Sequence, residues 1–73
     1  METVLIVDDE KIVRESLFHW FEKSGHIVDK AASGFEALEK LEQFPFDLMF
    51  VDIKMPGMDG IELLERVKGE YPD

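Results

Sequence analysis

Four carboxylates in this sequence stand where side chains can do chemistry. Asp8, Asp9 and Glu10 follow directly on the apolar run Thr3-Val4-Leu5-Ile6-Val7, and Asp52 follows directly on Leu48-Met49-Phe50-Val51. Unbroken apolar runs of this length read as strands buried on both faces, the habit of parallel sheets. A strand that ends abruptly in an acid delivers that acid to the mouth of its sheet. Carboxylates gathered there repel one another, and the sequence places no Arg at these strand ends to balance them. A hard divalent cation is the economical remedy. Magnesium takes oxygen ligands in an octahedral array, keeps several waters and is held by one or two carboxylates plus a phosphate. Asp8, Asp9 and Asp52, with a loop carbonyl such as that of Lys54, suit that donor set; calcium is the alternative, although no EF-hand spacing is present. A carboxylate beside such an ion can attack phosphorus and form an aspartyl phosphate. Asp52 ends the most apolar strand and is the candidate acceptor.

Each acid also has a plain structural reading. Asp8, Asp9 and Glu10 suit the start of a helix, where they complement its dipole. Asp52 suits a turn. Their joint placement at the ends of neighbouring strands favours a site. His19 and His26 lack partners at metal-ligand spacing and read as surface or cap residues, and Met55 and Met58 read as packing for the loop.

The elements that must position the acids alternate. A strand over residues 3–7 leads into a helix over 11–24, whose apolar face is Ile12, Val13, Leu17, Trp20 and Phe21 at 100° per residue, with Phe18 well outside it. Gly25 suits the helix stop. A weaker strand spans the Ile27-Val28 and Ala31-Ala32 region. Ser33 and Glu36 make a capping box for a second helix faced by Ala37, Leu38, Leu41 and Phe44, and Pro45 stops it. After the strand ending at Val51 comes a loop rich in Pro and Gly. Asp59 and Glu62 repeat the capping spacing for a third helix striped by Ile61, Leu64 and Val67, with Gly69 and Pro72 at its end. The order β-α-β-α-β-α implies a parallel sheet with right-handed crossovers and helices on both faces. In the doubly wound strand order 2-1-3, ligands bind where the order reverses, between the first and third strands. Those strands end in Asp8-Asp9 and Asp52, and neighbouring strands lie about 4.8 Å apart, so the acids should converge.

Composition narrows the alternatives. With 73 residues there is room for one domain, and a chain this short buries only roughly 60% of its unfolded surface. Seventeen acidic and eight basic residues give a net charge of −9, a field that repels phosphate backbones and argues against direct nucleic-acid binding. Cysteine is absent, which removes disulfides and thiolate metal sites. No apolar run approaches the roughly 20 residues of a membrane span, and a cytoplasmic protein is expected.

Taken together, Val4-Leu5-Ile6-Val7-Asp8-Asp9-Glu10 and Asp47-Leu48-Met49-Phe50-Val51-Asp52-Ile53-Lys54-Met55-Pro56-Gly57-Met58-Asp59-Gly60 closely resemble the receiver domain of bacterial two-component response regulators. The texture is similar to receivers joined to enhancer-binding transcriptional activators. The resemblance implies a flavodoxin-like (CheY-like) α/β fold and phosphotransfer from the phosphohistidine of a sensor histidine kinase. By the same token Asp52 matches the phosphoacceptor, Asp9 the direct magnesium ligand, Asp8 its neighbour acting through water, and Lys54 the residue whose carbonyl completes the metal site. Met55, Pro56 and Gly60 match the shared loop, and the first helix matches much of the kinase-docking surface.

The family fold has five βα units, and residues 1–73 match the first three. The Ser or Thr and the Lys that the fourth and fifth units bring to the phosphoryl group fall outside them, so activity is expected to be impaired. An open edge on the third strand is expected to favour self-association. The rival reading is a docking module that works through the first helix and Phe18 without phosphorylation. A phosphatase or phosphotransferase with turnover is disfavoured, because the second acid such enzymes carry two residues after the nucleophile is here Lys54.

Overall fold

The structure is a computed structural model that describes residues 1–52 and 60–70, Glu70 by its backbone alone. Along the chain run β1 (Thr3–Val7), α1 (Lys11–Lys23), β2 (Ile27–Ala31), α2 (Gly34–Gln43), β3 (Leu48–Val51) and α3 (Gly60–Glu70). The strands form one parallel sheet in the order β2-β1-β3. β1 is the central strand and the most apolar part of the interior, with Val4, Leu5 and Ile6 wholly buried. Period-two alternation divides its side chains between the faces. Val4 and Ile6 pack with Phe21, Leu17 and Val28 under α1, whereas Leu5 and Val7 pack with Ala31, Ala37 and Leu63 under α2 and α3. Burying a side chain of this size stabilises the fold by about 1.5–3 kcal/mol.

The helix termini follow from local chemistry. Ser33 accepts a hydrogen bond from the Glu36 amide, and Glu36 reaches back to accept from the Ala32 amide at 2.6 Å, so the expected capping box forms. α2 ends one residue before Phe44, which is extended because it precedes Pro45. α1 ends with His26 N–H donating to the Phe21 carbonyl and Gly25 N–H to that of Glu22, a Schellman pattern. Gly25 has φ +90°, which an L side chain rarely adopts.

Three expected faces are corrected. β3 is not buried on both faces: Leu48 and Phe50 are 45% and 44% exposed, while Met49 and Val51 turn inward. Among the described residues β3 has a strand neighbour on one side only. α1 reaches its outer face through Phe21, whose ring lies 4.8 Å from that of Phe50. On α1 itself, Ile12, Val13 and Trp20 are exposed, and the inward line is half-buried Arg14 and Leu17 with buried Phe21, at helical spacings of three and four. Phe18, expected outside the stripe, is half-buried under the Lys30 ammonium at 4.5 Å. On α3, Leu63 is fully buried and Val67 half-buried, while Ile61 and Leu64 point away from the core. An apolar helix with two adjacent stripes can seat either one, and the sheet, not the sequence period, selects.

At the opposite end of the sheet from the acids, the starts of β1 and β3 are clasped. Asp47 Oδ2 accepts from the Thr3 amide at 2.9 Å and from its hydroxyl at 2.8 Å, while the Asp47 amide donates to the Thr3 carbonyl at 2.8 Å. These donors, the backbone N–H first and the hydroxyl second, hold the Asp47 carboxyl below its ordinary range. Among the described residues, no helix is long and apolar enough to cross a membrane.

Candidate functional site

Val7 pairs with Val51, so Asp8 and Asp52 leave the sheet side by side. The ladder continues one step past each strand. Asp52 N–H donates to the Val7 carbonyl at 2.9 Å, and Asp8 N–H to the Ala31 carbonyl at 3.1 Å. Both acids therefore have anchored backbones. One carboxylate oxygen from each of Asp8, Asp9 and Asp52 lies within 4.8 Å of the others. Asp8 is buried, Asp52 half-buried and Asp9 exposed, which grades the cluster from floor to solvent. A cavity of about 340 Å³, lined by Val7, Asp8, Glu10, Leu17, Phe50, Val51 and Asp52, opens beside them.

The helix-start reading of these acids does not account for the cluster. Glu10 is the N-cap of α1 but its side chain makes no capping bond, and the first turn holds no acidic residue. Asp8 does local work, since its Oδ1 accepts from the Glu10 amide at 2.9 Å. That Asx-type turn lets the chain pivot from strand to helix within three residues.

The expectation that no Arg stands near the strand ends is corrected. Arg14, in the first turn of α1, donates from its guanidinium to the Asp8 carbonyl at 2.9 Å. Spacing alone could have found it: six residues past Asp8, on the next helix, a long side chain can reach back to the strand tip. Gly60 is buried at the start of α3. Lys54, Met55 and Pro56, like Met58 and the capping residue Asp59, lie outside the described residues.

The donor set is all hard oxygen. An octahedral magnesium ion at 2.0–2.1 Å holds opposite ligands about 4.2 Å apart. Three oxygens on one such ion must include neighbouring positions about 2.9 Å apart, so acids gathered within 4.8 Å would have to draw closer for all three to ligate directly, and direct ligation by two with the third acting through water asks for less movement. A larger hollow, about 590 Å³, lies at the other end of the sheet between α2, β3 and α3; of its two acids, Glu42 is exposed and Asp47 is engaged by Thr3.

Comparison with known proteins places this geometry. The sequence model of the family described as the response regulator receiver domain matches residues 4–73. The sporulation initiation phosphotransferase F of Bacillus subtilis is 45% identical over 67 residues, covering 92% of this chain and 54% of that protein. The Thermotoga maritima response regulator TrrA, solved in complex with Mg²⁺–BeF, superposes with a TM-score of 0.92 at 36% identity, covering 99% of this chain and 63% of that one. TrrA in complex with the histidine kinase ThkA gives a TM-score of 0.93 at 37% identity, covering 100% of this chain and 63% of that one. The chain thus spans little more than half the length of these relatives. With three parallel strands in the order 2-1-3, helices on both faces and this match along nearly its whole length, the chain belongs to the response regulator receiver domain family of two-component signalling.

Proposed function

We propose that this chain is a magnesium-dependent phosphoacceptor and that Asp52 is the residue phosphorylated. The observation that carries the reading is the convergence of Asp8, Asp9 and Asp52 within 4.8 Å at the carboxyl ends of adjacent parallel strands. A bound magnesium ion would neutralise charge on the transferring phosphoryl group. Asp9 and Asp52 would hold it directly and Asp8 through water, with the Lys54 carbonyl as a further ligand. Asp52 attacks phosphorus through a carboxylate oxygen, forming an O–P bond as the P–N bond to the kinase histidine breaks. The imidazole leaves with the electron pair. Anchoring of the Asp52 amide on Val7 holds the nucleophile still while this happens. The product carries more charge and more acceptor oxygens than the carboxylate, which is what a signal requires.

The partner in this reading is a sensor histidine kinase in the cytoplasm, and the docking face is α1, where Ile12 and Trp20 are 81% and 63% exposed. Residues 1–73 are read as the first three βα units of the receiver, working as a signalling module with a regulated output, transcription among them, rather than as a turnover enzyme. Incubation with magnesium and acetyl phosphate, followed by intact mass, tests the proposal. A single phosphoryl adduct is expected, and it should vanish with EDTA and in Asp52→Asn. An adduct that survives Asp52→Asn would overturn the assignment, and continuous phosphate release would overturn the non-enzymatic reading.

The exposure of Ile12 and Trp20 also favours a second reading, a docking module that binds without phosphorylation. Kinase binding with no adduct under any condition would select it. The exposed Leu48 and Phe50 on the β3 edge support self-association, for which light scattering is the test.

A further inference from the structure

We infer that Arg14 is a positioning residue for the acidic site, holding the Asp8–Asp9 peptide so that Asp9 faces the cation position it shares with Asp52. The inference deepens the phosphoacceptor reading and rests on it. The Asp8 carbonyl belongs to the peptide plane that joins Asp8 to Asp9, so the 2.9 Å bond from the Arg14 guanidinium fixes the plane from which the Asp9 side chain departs. The Asp8 carboxylate meanwhile holds the Glu10 amide on the far side of Asp9. Asp9 is exposed and has no packing of its own to orient it, so these two bonds set its direction.

Arg14 is itself held from behind. Its side chain is only 16% exposed, and its Nε lies 3.9 Å from Glu15. Glu15 is tied to Lys30 by two bonds of 2.7 Å, and Lys30 sits over the Phe18 ring. The Lys30 hydrogen bond is the leading reason the Glu15 carboxyl is held below its ordinary range. The chain Lys30–Glu15–Arg14–Asp8 thus ties the edge strand β2 to the tip of β1 through α1.

Charge and position make opposite predictions. By Coulomb's law alone a guanidinium beside a cation site weakens cation binding, so its removal should tighten the site. A positioning role requires that removal weaken it, as loss of groups that orient metal ligands does by about tenfold or more. Mn²⁺ binding, read as free ion by electron paramagnetic resonance, should therefore weaken about tenfold in Arg14→Met. Arg14→Lys, which keeps a charged donor, should recover most of the loss. In acetyl phosphate labelling, the magnesium concentration at half-maximal rate should rise in Arg14→Met, while the rate at saturating magnesium stays near that of the unsubstituted chain.

Unchanged or tighter Mn²⁺ binding in Arg14→Met would overturn the inference. So would failure of Arg14→Lys to recover any of the loss. Circular dichroism checks the fold, and should Arg14→Met fail to fold, Arg14→Gln is read by the same criteria. If the unsubstituted chain binds no Mn²⁺, the site reading falls and the inference with it. Binding that is indifferent to Arg14 sinks the inference alone.

Discussion

Replacing Asp52 by Asn should make the metal-free protein more stable while abolishing its chemistry. The three carboxylates lie within 4.8 Å of one another, so removing the Asp52 charge relieves two pairwise repulsions. At that separation one pair costs roughly 0.9 kcal/mol in water-like surroundings and about 3.5 kcal/mol at an effective dielectric of 20. Asp9 is exposed and Asp52 half-buried, which puts the cluster near the water-like end. In the unfolded chain Asp52 is more than 40 residues from Asp8 and Asp9, so little of the relieved repulsion is present there. A gain of about 1–2 kcal/mol remains for Asp52→Asn, and for a domain of this size each 1 kcal/mol raises Tm by about 4–8 °C. The amide keeps the size of the acid and its carbonyl oxygen, so packing changes little. The assay is thermal unfolding by circular dichroism in EDTA at low ionic strength, repeated in 1 M salt. The variant should melt at least about 4 °C higher, and salt should shrink the gap. Added magnesium should raise the Tm of the unsubstituted chain and leave the variant nearly where it was. An equal or lower Tm for Asp52→Asn without metal would mean that the acids do not repel across a shared site, and the electrostatic reasoning would be refuted.

Other outcomes follow from the packing and the clasp. Leu63→Ala, at a fully buried position, should cost about 2–5 kcal/mol, whereas Leu64→Ala on the neighbouring exposed stripe should cost about 1 kcal/mol or less; urea midpoints decide, and equal losses would reject the observed rotation of α3. Ser33→Ala removes the cap of α2 and should cost about 1 kcal/mol by the same measurement. The Thr3 donors hold the folded Asp47 carboxyl below its ordinary value of 3.8. Its folded pKa is thus the depressed one, so the contribution is whole above that ordinary value and fades as pH falls through the folded one. Thr3→Val, which removes the hydroxyl donor, should flatten the acid limb of a Tm–pH curve below about pH 4; an unaltered limb would show that the hydroxyl contributes nothing there.

The fold was legible because β1 and the capping box at Ser33 speak locally. Four apolar residues after Thr3, ending in acids, leave little choice of element, and Ser33 with Glu36 fixes where α2 begins. The meeting of Asp8, Asp9 and Asp52 was legible as well, since alternation implies a parallel sheet and the parallel sheet implies adjacent strand ends. What stayed hidden depended on which surface finds a partner. Leu48 and Phe50 have the composition of buried residues but are 45% and 44% exposed on a strand that, among the described residues, has one neighbour. Ile12 and Trp20 continue the apolar stripe of α1 past the limit of what the sheet can cover. Arg14 was overlooked for another reason: its six-residue spacing from Asp8 allows the contact, but only the pivot from strand to helix shows that the side chain folds back onto the strand tip. Thr3 and Asp47, 44 residues apart, announce nothing until the first and third strands are side by side.

The clasp between Thr3 and Asp47 acts as a register lock for β3. A slip of one residue against β1 would exchange Leu48 and Phe50 with Met49 and Val51 across the sheet and carry Asp52 away from Asp8. Four strand residues separate Asp47 from Asp52, so the lock acts from roughly 16 Å away. A substitution at Thr3, at the far end of the sheet from the acids, can therefore undo their meeting by moving Asp52 one step along the strand.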